Sequence, residues 1–313
     1  MRVLHSIPEL AEVGRPVVLA AGVFDGMHLG HAAVAEAACR SARSLDAEPV
    51  LLTFEPHPAV VIRPDLAPAL LTTTPEKLRL AEQVGIRFAL VIPFTTDFAA
   101  RTADEFIQSL CAPANRLAGL CVGDNWTYGK DRAGDVRTLR IAGMKSGFFT
   151  QVVASVALHG ERVSSTAIRQ ALRDGDPGRA ASFLGRPFTL SGEVVHGDSR
   201  GRELGFPTAN LALASRLIPA DGVYAVRAGI ERPAHPAVCN IGFRPTVASD
   251  SRRIVEVHLL SWSGDLYGRD LQVAFFHRIR PERRFSSVDD LRQAIAGDIR
   301  VAESFFAVQV MGE

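Results

Sequence analysis

Two hydrophobic patterns divide the chain at about residue 184. In the first part, short continuous apolar runs alternate with segments of helical period, which is typical of a parallel sheet covered by helices on both faces. The predicted strands are residues 17–23, 49–54, 88–92, 117–122 and 148–154. An alanine-rich helix is predicted over residues 32–39, and another follows the cap Thr74 and Pro75 and ends at Gly85. The pattern predicts a doubly wound, Rossmann-like α/β domain over residues 1–184.

From residue 188 the pattern changes to closely spaced short strands with glycine and proline turns. The strand segments are GEVVHG, GVYAVRAGI, HPAVCNIGF, RRIVEVHLL and DLQVAFFHRI. Strands without intervening helices are typical of an antiparallel barrel or sandwich. A closing helix is predicted after the cap Ser287. Its apolar positions are Leu291, Ile295, Ile299 and Val301. Residues 188–313 form the predicted second, all-β domain, joined to the first through LGRPF.

A glycine-rich turn with two histidines follows the first predicted strand. Its sequence, GVFDGMHLGH, spans residues 22–31. The glycines let a ligand approach the backbone, and the amides at the start of the next helix favour an anion. His28 and His31 lie on one side of that helix and can donate to phosphate oxygens. The alternative is a turn that only shapes the chain, with histidines that cap or pack locally.

Three further segments lie at or near predicted strand ends in the same half. TFEPHP holds His57 in a proline-stiffened loop, VGDNWTYGKDRAGD carries an aromatic pair, and VSSTAIRQAL starts a helix with hydroxyl side chains and Arg169. Arginine binds phosphate with two donors, and hydroxyls beside free helix amides complete an anion site. Each segment alone also fits an ordinary loop, a packed aromatic pair or a capped surface helix. Their shared location favours one ligand site at the carboxyl ends of the strands.

The second half contains a glycine and arginine loop that closes on PTAN. The segment GEVVHGDSRGRELGFPTANL spans residues 192–211. Its glycines allow tight backbone geometry near an anion, and Arg200 and Arg202 add positive charge. Thr208 and Asn210 offer hard oxygen ligands suited to Mg²⁺. A hairpin loop with a proline turn is the alternative.

The segment RIVEVHLL supplies a candidate base. Strict alternation places Ile254, Glu256 and His258 on one face of a strand. Val255, Val257 and Leu259 then share the core face. Glu256 lies either on a solvated face or in a site, where it can accept a hydroxyl proton.

Length, charge and cysteine content narrow the class of protein. A chain of 313 residues predicts two domains, and a net charge of +1 argues against a general electrostatic grip on nucleic acid or acidic membranes. Four scattered cysteines without metal-ligand spacing predict buried thiols in a reducing compartment. We see no signal peptide or membrane-spanning run, so the expected location is the cytoplasm.

The four segments of the first half, in their order and spacing, resemble the FMN adenylyltransferase module of the bacterial bifunctional riboflavin kinase/FAD synthetase family. The HxGH pair is similar to the ATP-binding signature of nucleotidyltransferases. The resemblance implies that His28 and His31 contact the ATP phosphates, that Ser164, Thr166 and Arg169 hold the triphosphate, and that the loop with Asn125 places flavin or nucleotide. The other binding residues predicted for this site are Gly22, Phe24, Asp25, Gly30, His57 and Ser165.

Two positions depart from that family's pattern. Many members carry asparagine where this chain has Val23, and an acidic residue is common where Asn125 stands. Neither change removes a phosphate-binding group. Phe24 and Trp126 are candidates for stacking on flavin, with core or loop packing as the alternative.

The second half resembles the riboflavin kinase module of the same family, whose fold is a six-stranded barrel. The resemblance rests on the PTAN segment, GVYAV, NIGFRPT, VEVHLL, DLYG and the closing helix. It implies that Thr208 and Asn210 bind Mg²⁺ and that Glu256 deprotonates the riboflavin 5′-hydroxyl. The other binding residues predicted for this site are Gly197, Arg202, Gly205 and Pro207.

The sequence therefore predicts an enzyme that makes FMN from riboflavin and then FAD from FMN, using ATP twice. The expected ligands are flavins, ATP, ADP and Mg²⁺, with no nucleic acid or membrane partner, and the expected assembly is a monomer or weak homo-oligomer. Three alternatives remain: a nucleotidyltransferase for another substrate, a non-catalytic flavin-binding module, and a kinase whose other half only binds product.

Overall fold

The computed structural model describes residues 1–197, 201, 204–213, 216–243 and 253–310. The chain divides into two compact units, Met1–Ser165 and Thr166–Glu313. This division lies closer to the start of the chain than the join expected at residues 184–188, and the boundary between functional domains stays a prediction.

A six-stranded parallel sheet forms the first unit. Its strands are β1 (Arg2–Leu4), β2 (Val17–Ala21), β3 (Glu48–Glu55), β4 (Phe88–Pro93), β5 (Leu117–Gly123) and β6 (Phe149–Val153), in the order β1-β4-β3-β2-β5-β6. All five predicted strands are present, and the three-residue edge strand β1 adds a sixth. The strand order reverses between β2 and β5, which is where open α/β sheets bind ligands.

Helices cover both faces of this sheet. They are α1 (Leu29–Ser44), α2 (Pro58–Ile62), α3 (Thr74–Gln83), α4 (Thr96–Ala99), α5 (Ala103–Leu110) and α6 (Val136–Ser146), and a short hairpin of β7 (Ala157–Leu158) and β8 (Glu161–Arg162) follows β6. Along β2, Val17 and Leu19 belong to one apolar cluster, while Val18 and Ala20 join the cluster under α1. Burial on both faces explains why the strands are continuously apolar.

The start of α3 differs by one residue from the expectation. Thr73, not Thr74, is the cap: its backbone is extended, and its hydroxyl accepts from the Glu76 amide while the Glu76 carboxylate accepts from the Thr73 amide. This reciprocal capping places Pro75 at the second helical position.

A closed antiparallel barrel forms most of the second unit. Helices α7 (Ser165–Arg173) and α8 (Pro177–Leu184) precede it. The strands are β9 (Phe188–Val195), β10 (Ala209–Ala212), β11 (Gly222–Gly229), β12 (His235–Phe243), β13 (Arg253–Leu259) and β14 (Asp270–Arg280), in the order β10-β13-β12-β11-β14-β9. Pairing of β9 with β10 closes the ring. The barrel is confirmed and the sandwich is excluded.

Strand β10 has no counterpart among the predicted strands. The PTAN segment is predicted to end a loop, but Ala209 and Asn210 already lie on a strand. The strand is only four residues long and follows a proline, so its local pattern is weak, and its pairing with β9 and β13 fixes it.

The last helix, α9 (Val288–Val310), packs against the outside of the barrel. Ser287 caps it by accepting from the Asp290 amide, as predicted. Its buried residues Ala302 and Phe306 lie in one cluster with Val223 and Ala225 of β11. Val301, expected on the apolar face, is 44% exposed. At this end of the helix, the face that packs against the barrel contains Ala302 and not Val301, one residue away from the prediction.

No helix within the described ranges is both long and apolar enough to cross a membrane. The four cysteines are unpaired thiols, and three of them, Cys39, Cys121 and Cys239, are buried as predicted, whereas Cys111 is only partly buried. Burial raises the pKa of Cys121 to about 11.

Candidate active sites

The first candidate site is the glycine turn, residues 22–31, which leads from β2 into the start of α1 beside the point where the strand order reverses. The Thr53 hydroxyl donates to the Val23 carbonyl at 3.0 Å, and the Gly26 amide donates to the Thr72 hydroxyl at 2.9 Å. Gly26 has φ of +85°, a left-handed conformation that glycine adopts without strain. The path of the turn is thus set by two neighbouring segments.

Asp25 anchors the turn from within. Its buried carboxylate accepts from the amides of Leu71 and Thr72 at 3.0 and 3.1 Å. Its carbonyl accepts from the Ser165 hydroxyl at 2.8 Å. These contacts tie the turn to the loop before α3 and to the start of α7. A ligand-binding role for Asp25 stays a prediction.

The two histidines of the turn come together, as predicted. His28 is the cap of α1, and its Nδ1 accepts from the His31 amide at 3.2 Å. The rings stack with centroids 3.6 Å apart and an interplanar angle of 15°. Because Nδ1 of His28 is an acceptor, the proton of its neutral ring lies on Nε2.

The His31 ring is held neutral by its surroundings. Burial first, then His28 and then Lys77 lower its pKa well below the ordinary value. Its Nδ1 is buried and has no hydrogen-bond partner among the described residues, so a proton there would find no acceptor. This favours the Nε2–H form, in which both stacked rings can donate from Nε2.

Small and apolar neighbours set the position of this pair. A Cβ at Gly30 would lie 3.1 Å from Cε1 of His28, so glycine leaves room for the ring. The ring of Phe24 meets His31 edge-on at 5.2 Å and is 1% exposed. Gly22 lies against the same Phe24 ring. The burial of Phe24 favours the packing alternative over stacking on flavin.

His57 follows β3 and Asn125 follows β5, the two strands that flank β2 in the same sheet. His57 caps α2, with its Nδ1 accepting from the Ala59 amide at 3.1 Å. Asn125 is exposed just after β5, the strand beside β2. Both lie at carboxyl ends of strands, as predicted, and their ligand contacts stay predictions.

The aromatic pair of the following loop packs the loop down. Trp126 stacks on Tyr128 with centroids 4.5 Å apart, and Tyr128 also contacts Phe106 of α5. Both rings belong to an apolar cluster of the sheet. For Trp126, too, the packing alternative is favoured.

The hydroxyl and arginine segment divides between the two units. Ser165 contacts the glycine turn through Asp25, and Ser164 directly precedes it in the chain. Thr166 and Arg169 belong to the second unit, where the Arg169 side chain is buried. Their assignment to the first site stays a prediction.

The second candidate site lies on the outer wall of the barrel. Asn210 of β10 is paired with Glu256 of β13, and Glu256 is paired with Asn240 of β12. Val255 and Val257 are buried, while Glu256 between them is only partly buried. The predicted alternation is confirmed, and three polar residues form a row across adjacent strands.

Two glycines before β10 lie against the side chains of Asn210 and Thr208. A Cβ at Gly197 would overlap the Asn210 amide group, and a Cβ at Gly201 would lie 3.0 Å from the Thr208 hydroxyl. The Phe206 amide donates to the Gly201 carbonyl at 2.7 Å. Only a residue without a side chain leaves this backbone so close to Thr208 and Asn210.

The described residues at the end of this loop lie on the same wall. Gly205 has φ of +89°, and the Pro207 carbonyl accepts from Nδ1 of His258 at 2.8 Å. Arg200 and Arg202 lie outside the described residues. The sequence had placed His258 on the face of Glu256 without giving it a role.

Comparisons with known proteins decide the family. The FAD synthetase family matches residues 10–167, and the riboflavin kinase family matches residues 184–306. A protein of Escherichia coli strain K12 is 42% identical over 98% of both chains, and one of Pseudomonas fluorescens is 38% identical over 98% of both. Both are described as bifunctional riboflavin kinase/FMN adenylyltransferases. The chain belongs to this family.

A solved structure shows that the fold of this family member is shared over nearly the whole chain. The structure, from Streptococcus pneumoniae and described as a macrolide-efflux protein, has a TM-score of 0.86 and 30% sequence identity. The match covers 97% of this chain and 99% of that one. The predicted family, fold class and pair of enzyme activities are confirmed.

Sequence reasoning missed three residues near the two sites. Lys77 of α3 is 5% exposed and donates to the Thr53 hydroxyl at 3.2 Å, although a lysine in EKLRL is typical of a solvated helix face. Asn240 was seen only as part of a motif. Glu282 lies over Gly242 on the outer wall, where a Cβ would overlap its carboxylate. Only register and packing reveal these positions.

Proposed function

We propose that each family activity is carried out by one of the two sites. The outer wall of the barrel phosphorylates riboflavin, and the glycine turn transfers the adenylyl group from a second ATP to FMN. The row of Asn210, Glu256 and Asn240 beside a glycine loop supports the first assignment. The stacked histidines at the start of α1 support the second.

Glu256 is the proposed base of the kinase reaction. Its carboxylate takes the proton of the riboflavin 5′-hydroxyl as that oxygen attacks the γ-phosphorus of ATP, and ADP leaves. The carboxylate belongs to a strand whose other face is packed in the barrel, which fixes its position. The products are FMN and ADP.

Thr208 and Asn210 are the proposed protein ligands of Mg²⁺. Both side chains offer neutral oxygens, and both lie against glycines that leave no room for a Cβ, so the donor set fits a hard cation shared with nucleotide phosphates. No cluster of three or more His, Cys, Asp or Glu that could hold a metal occurs in the described part of the chain. When bound, Mg²⁺ offsets the charge of the ATP phosphates.

The adenylyltransferase reaction needs no protein base. A phosphate oxygen of FMN is already ionised at neutral pH; it attacks the α-phosphorus of ATP, and pyrophosphate leaves. The proposed work of His28 and His31 is to donate hydrogen bonds from Nε2 to the phosphates, which positions them and stabilises charge. Arg169 and the neighbouring hydroxyls complete the proposed triphosphate site.

We also propose that the protein acts in the cytoplasm as a monomer or weak homo-oligomer. The four unpaired cysteines and the net charge of +1 support a reducing compartment and small-molecule ligands.

The two sites can be separated by substitution. Glu256→Gln and Asn210→Ala should abolish FMN formation from riboflavin and ATP while FMN is still converted to FAD. His31→Ala should abolish the second step and leave the first. Separation of the flavins by chromatography measures both steps in one protein.

Matched controls lie on the surface of each unit. Glu193→Gln on the outside of β9 and His5→Ala near the start of the chain change the same residue types at exposed positions. Both should retain both steps. A folded variant of Glu256 or His31 that impairs the two steps equally would show that the assignment of separate sites is wrong.

A further inference from the structure

Lys77 is a buried cation below the glycine turn. It lies in the first turn of α3, and its ammonium donates to the Thr53 hydroxyl at 3.2 Å. That is the one hydrogen bond of the ammonium group among the described residues, and the group takes part in no ion pair there. A lysine that is 5% exposed has lost the hydration of its ammonium group without forming a salt bridge in return.

Filling space does not explain a lysine at this position. A methionine has similar length and carries no charge to desolvate. Burial lowers the pKa of Lys77, while Asp25 in the turn and Glu55 at the end of β3 act in the opposite direction. These two carboxylates offset part of the cost of burying the charge, although burial remains the larger influence.

The Thr53 hydroxyl connects Lys77 to the turn. It accepts from Nζ of Lys77 and donates its own proton to the Val23 carbonyl at 3.0 Å. Since a hydroxyl has a single proton, the donor from Lys77 fixes the direction in which Thr53 donates. These two hydrogen bonds hold in place the turn that connects β2 to the histidines.

The charge of Lys77 also reaches His31. Together with burial and His28, it lowers the pKa of that ring. The groups that interact with Lys77 therefore come from the glycine turn, the end of β3 and α1: Asp25, Thr53, Glu55 and His31.

We propose that Lys77 is a positioning residue of the adenylyltransferase site, which fixes the glycine turn through Thr53 and thereby places the two histidines that donate to ATP. The proposal rests on the function assigned to the histidines above. It adds a role for a residue that touches neither substrate.

Three substitutions separate the two effects. Lys77→Met removes the charge and the donor, Lys77→Gln keeps a donor for Thr53 without the charge, and Lys77→Arg keeps both. Lys145→Met, at an exposed position of α6, is the matched control. The rates of FMN-to-FAD and riboflavin-to-FMN conversion are measured against pH for each variant.

In Lys77→Met, FAD formation should fall about tenfold or more, because a small displacement of a phosphate-binding turn is costly, while the kinase rate is unchanged. The acidic limb of the pH profile for FAD formation should move to higher pH, because loss of a nearby positive charge raises the pKa of His31. Lys77→Gln should show the same displacement with a smaller loss of rate. Lys77→Arg should keep the limb at its native pH, and Lys145→Met should change neither step.

The proton of His31 can also be followed without activity. An NMR titration of the His31 ring in Lys77→Met or Lys77→Gln should give a higher pKa than in the native protein. An unmoved titration and pH limb in folded variants, or an equal fall of both enzyme steps, would overturn the proposal. If Lys77→Met does not fold, Lys77→Gln decides the outcome.

Failure of the assigned function gives a different result. In that case His31→Ala retains FAD formation, whereas the NMR titration still reports whether Lys77 controls the charge of His31.

Discussion

The two histidines of the glycine turn act as one unit because each constrains the other. The His31 amide occupies Nδ1 of His28, and the stacked rings, 3.6 Å apart, disfavour two positive charges. Their spacing in the sequence predicted that they meet on one side of the helix. The stacking and the tautomer could not be predicted, because both depend on the cap geometry and on the space above Gly30.

Gly30 offers a test of this geometry. Gly30→Ala places a Cβ 3.1 Å from Cε1 of His28 and should displace the ring, so FAD formation should fall about tenfold. Stability should change little, because a gain of about 1 kcal/mol in helix propensity is offset by a weakened His28 cap of similar value. Flavin chromatography and thermal unfolding of the same sample measure both quantities.

Gly297→Ala is the matched control for this prediction. Gly297 lies in α9 with no atom near its missing Cβ. It should gain stability and keep FAD formation. Equal FAD formation in both variants would mean that the His28 ring does not need its present position.

The positions of single residues were predicted well where they depend on adjacent residues and poorly where they depend on distant partners. The meeting of His28 and His31 follows from their spacing in the turn. The positions of Lys77 and Asn240 could not be predicted from their local sequence. The burial of Lys77 and the strand register of Asn240 are set by strands that are distant in the chain.

Among the elements, α3 links helix capping to the first site. Thr73 and Glu76 cap each other, and the Thr73 carbonyl accepts from the Lys77 amide at 3.0 Å. The capped first turn of this helix therefore fixes the backbone position from which the Lys77 side chain extends into the core.

Loss of that cap should weaken FAD formation. Thr73→Ala should lower the free energy of unfolding by about 1 kcal/mol and allow the first turn to fray. The rate of FAD formation should then fall while FMN formation continues. Denaturant unfolding and flavin chromatography provide the measurements.

Ser287→Ala is the comparison for Thr73→Ala. It removes the equivalent cap of α9 at similar cost in stability. FAD formation from supplied FMN should be retained. A matching loss in both variants would point to general destabilisation and not to the position of Lys77.

Short elements were the ones that the sequence did not reveal. The edge strand β1 has three residues and β10 has four, too few for a clear period. Longer strands were found to within two residues where a continuous or alternating pattern was present, except that β9 begins four residues before its predicted segment.

At the scale of the whole molecule, each unit has its own apolar core. Leu90 is fully buried in the parallel sheet, and Leu271 is fully buried in the barrel. The change from a parallel to an antiparallel pattern predicted this division. Closure of the barrel did not follow from the pattern alone, because it depends on the pairing of β9 with β10 across a long loop.

Separate cores predict separate thermal losses. Leu90→Ala should destabilise the sheet unit by about 2–5 kcal/mol, so that FAD formation is lost on heating before FMN formation. Leu271→Ala should reverse the order. Residual activities after incubation at a series of temperatures test this, and simultaneous loss of both steps in either variant would contradict it.

The proposed kinase site lies on the convex side of the barrel. Asn210, Glu256 and Asn240 all project from the outer wall, while the lumen is filled by side chains such as Tyr224 and Val257. With this assignment, we expect the residues that set heat tolerance and those that set kinase turnover to lie on opposite surfaces of the same strands. A more robust biocatalyst can be sought by repacking the lumen alone.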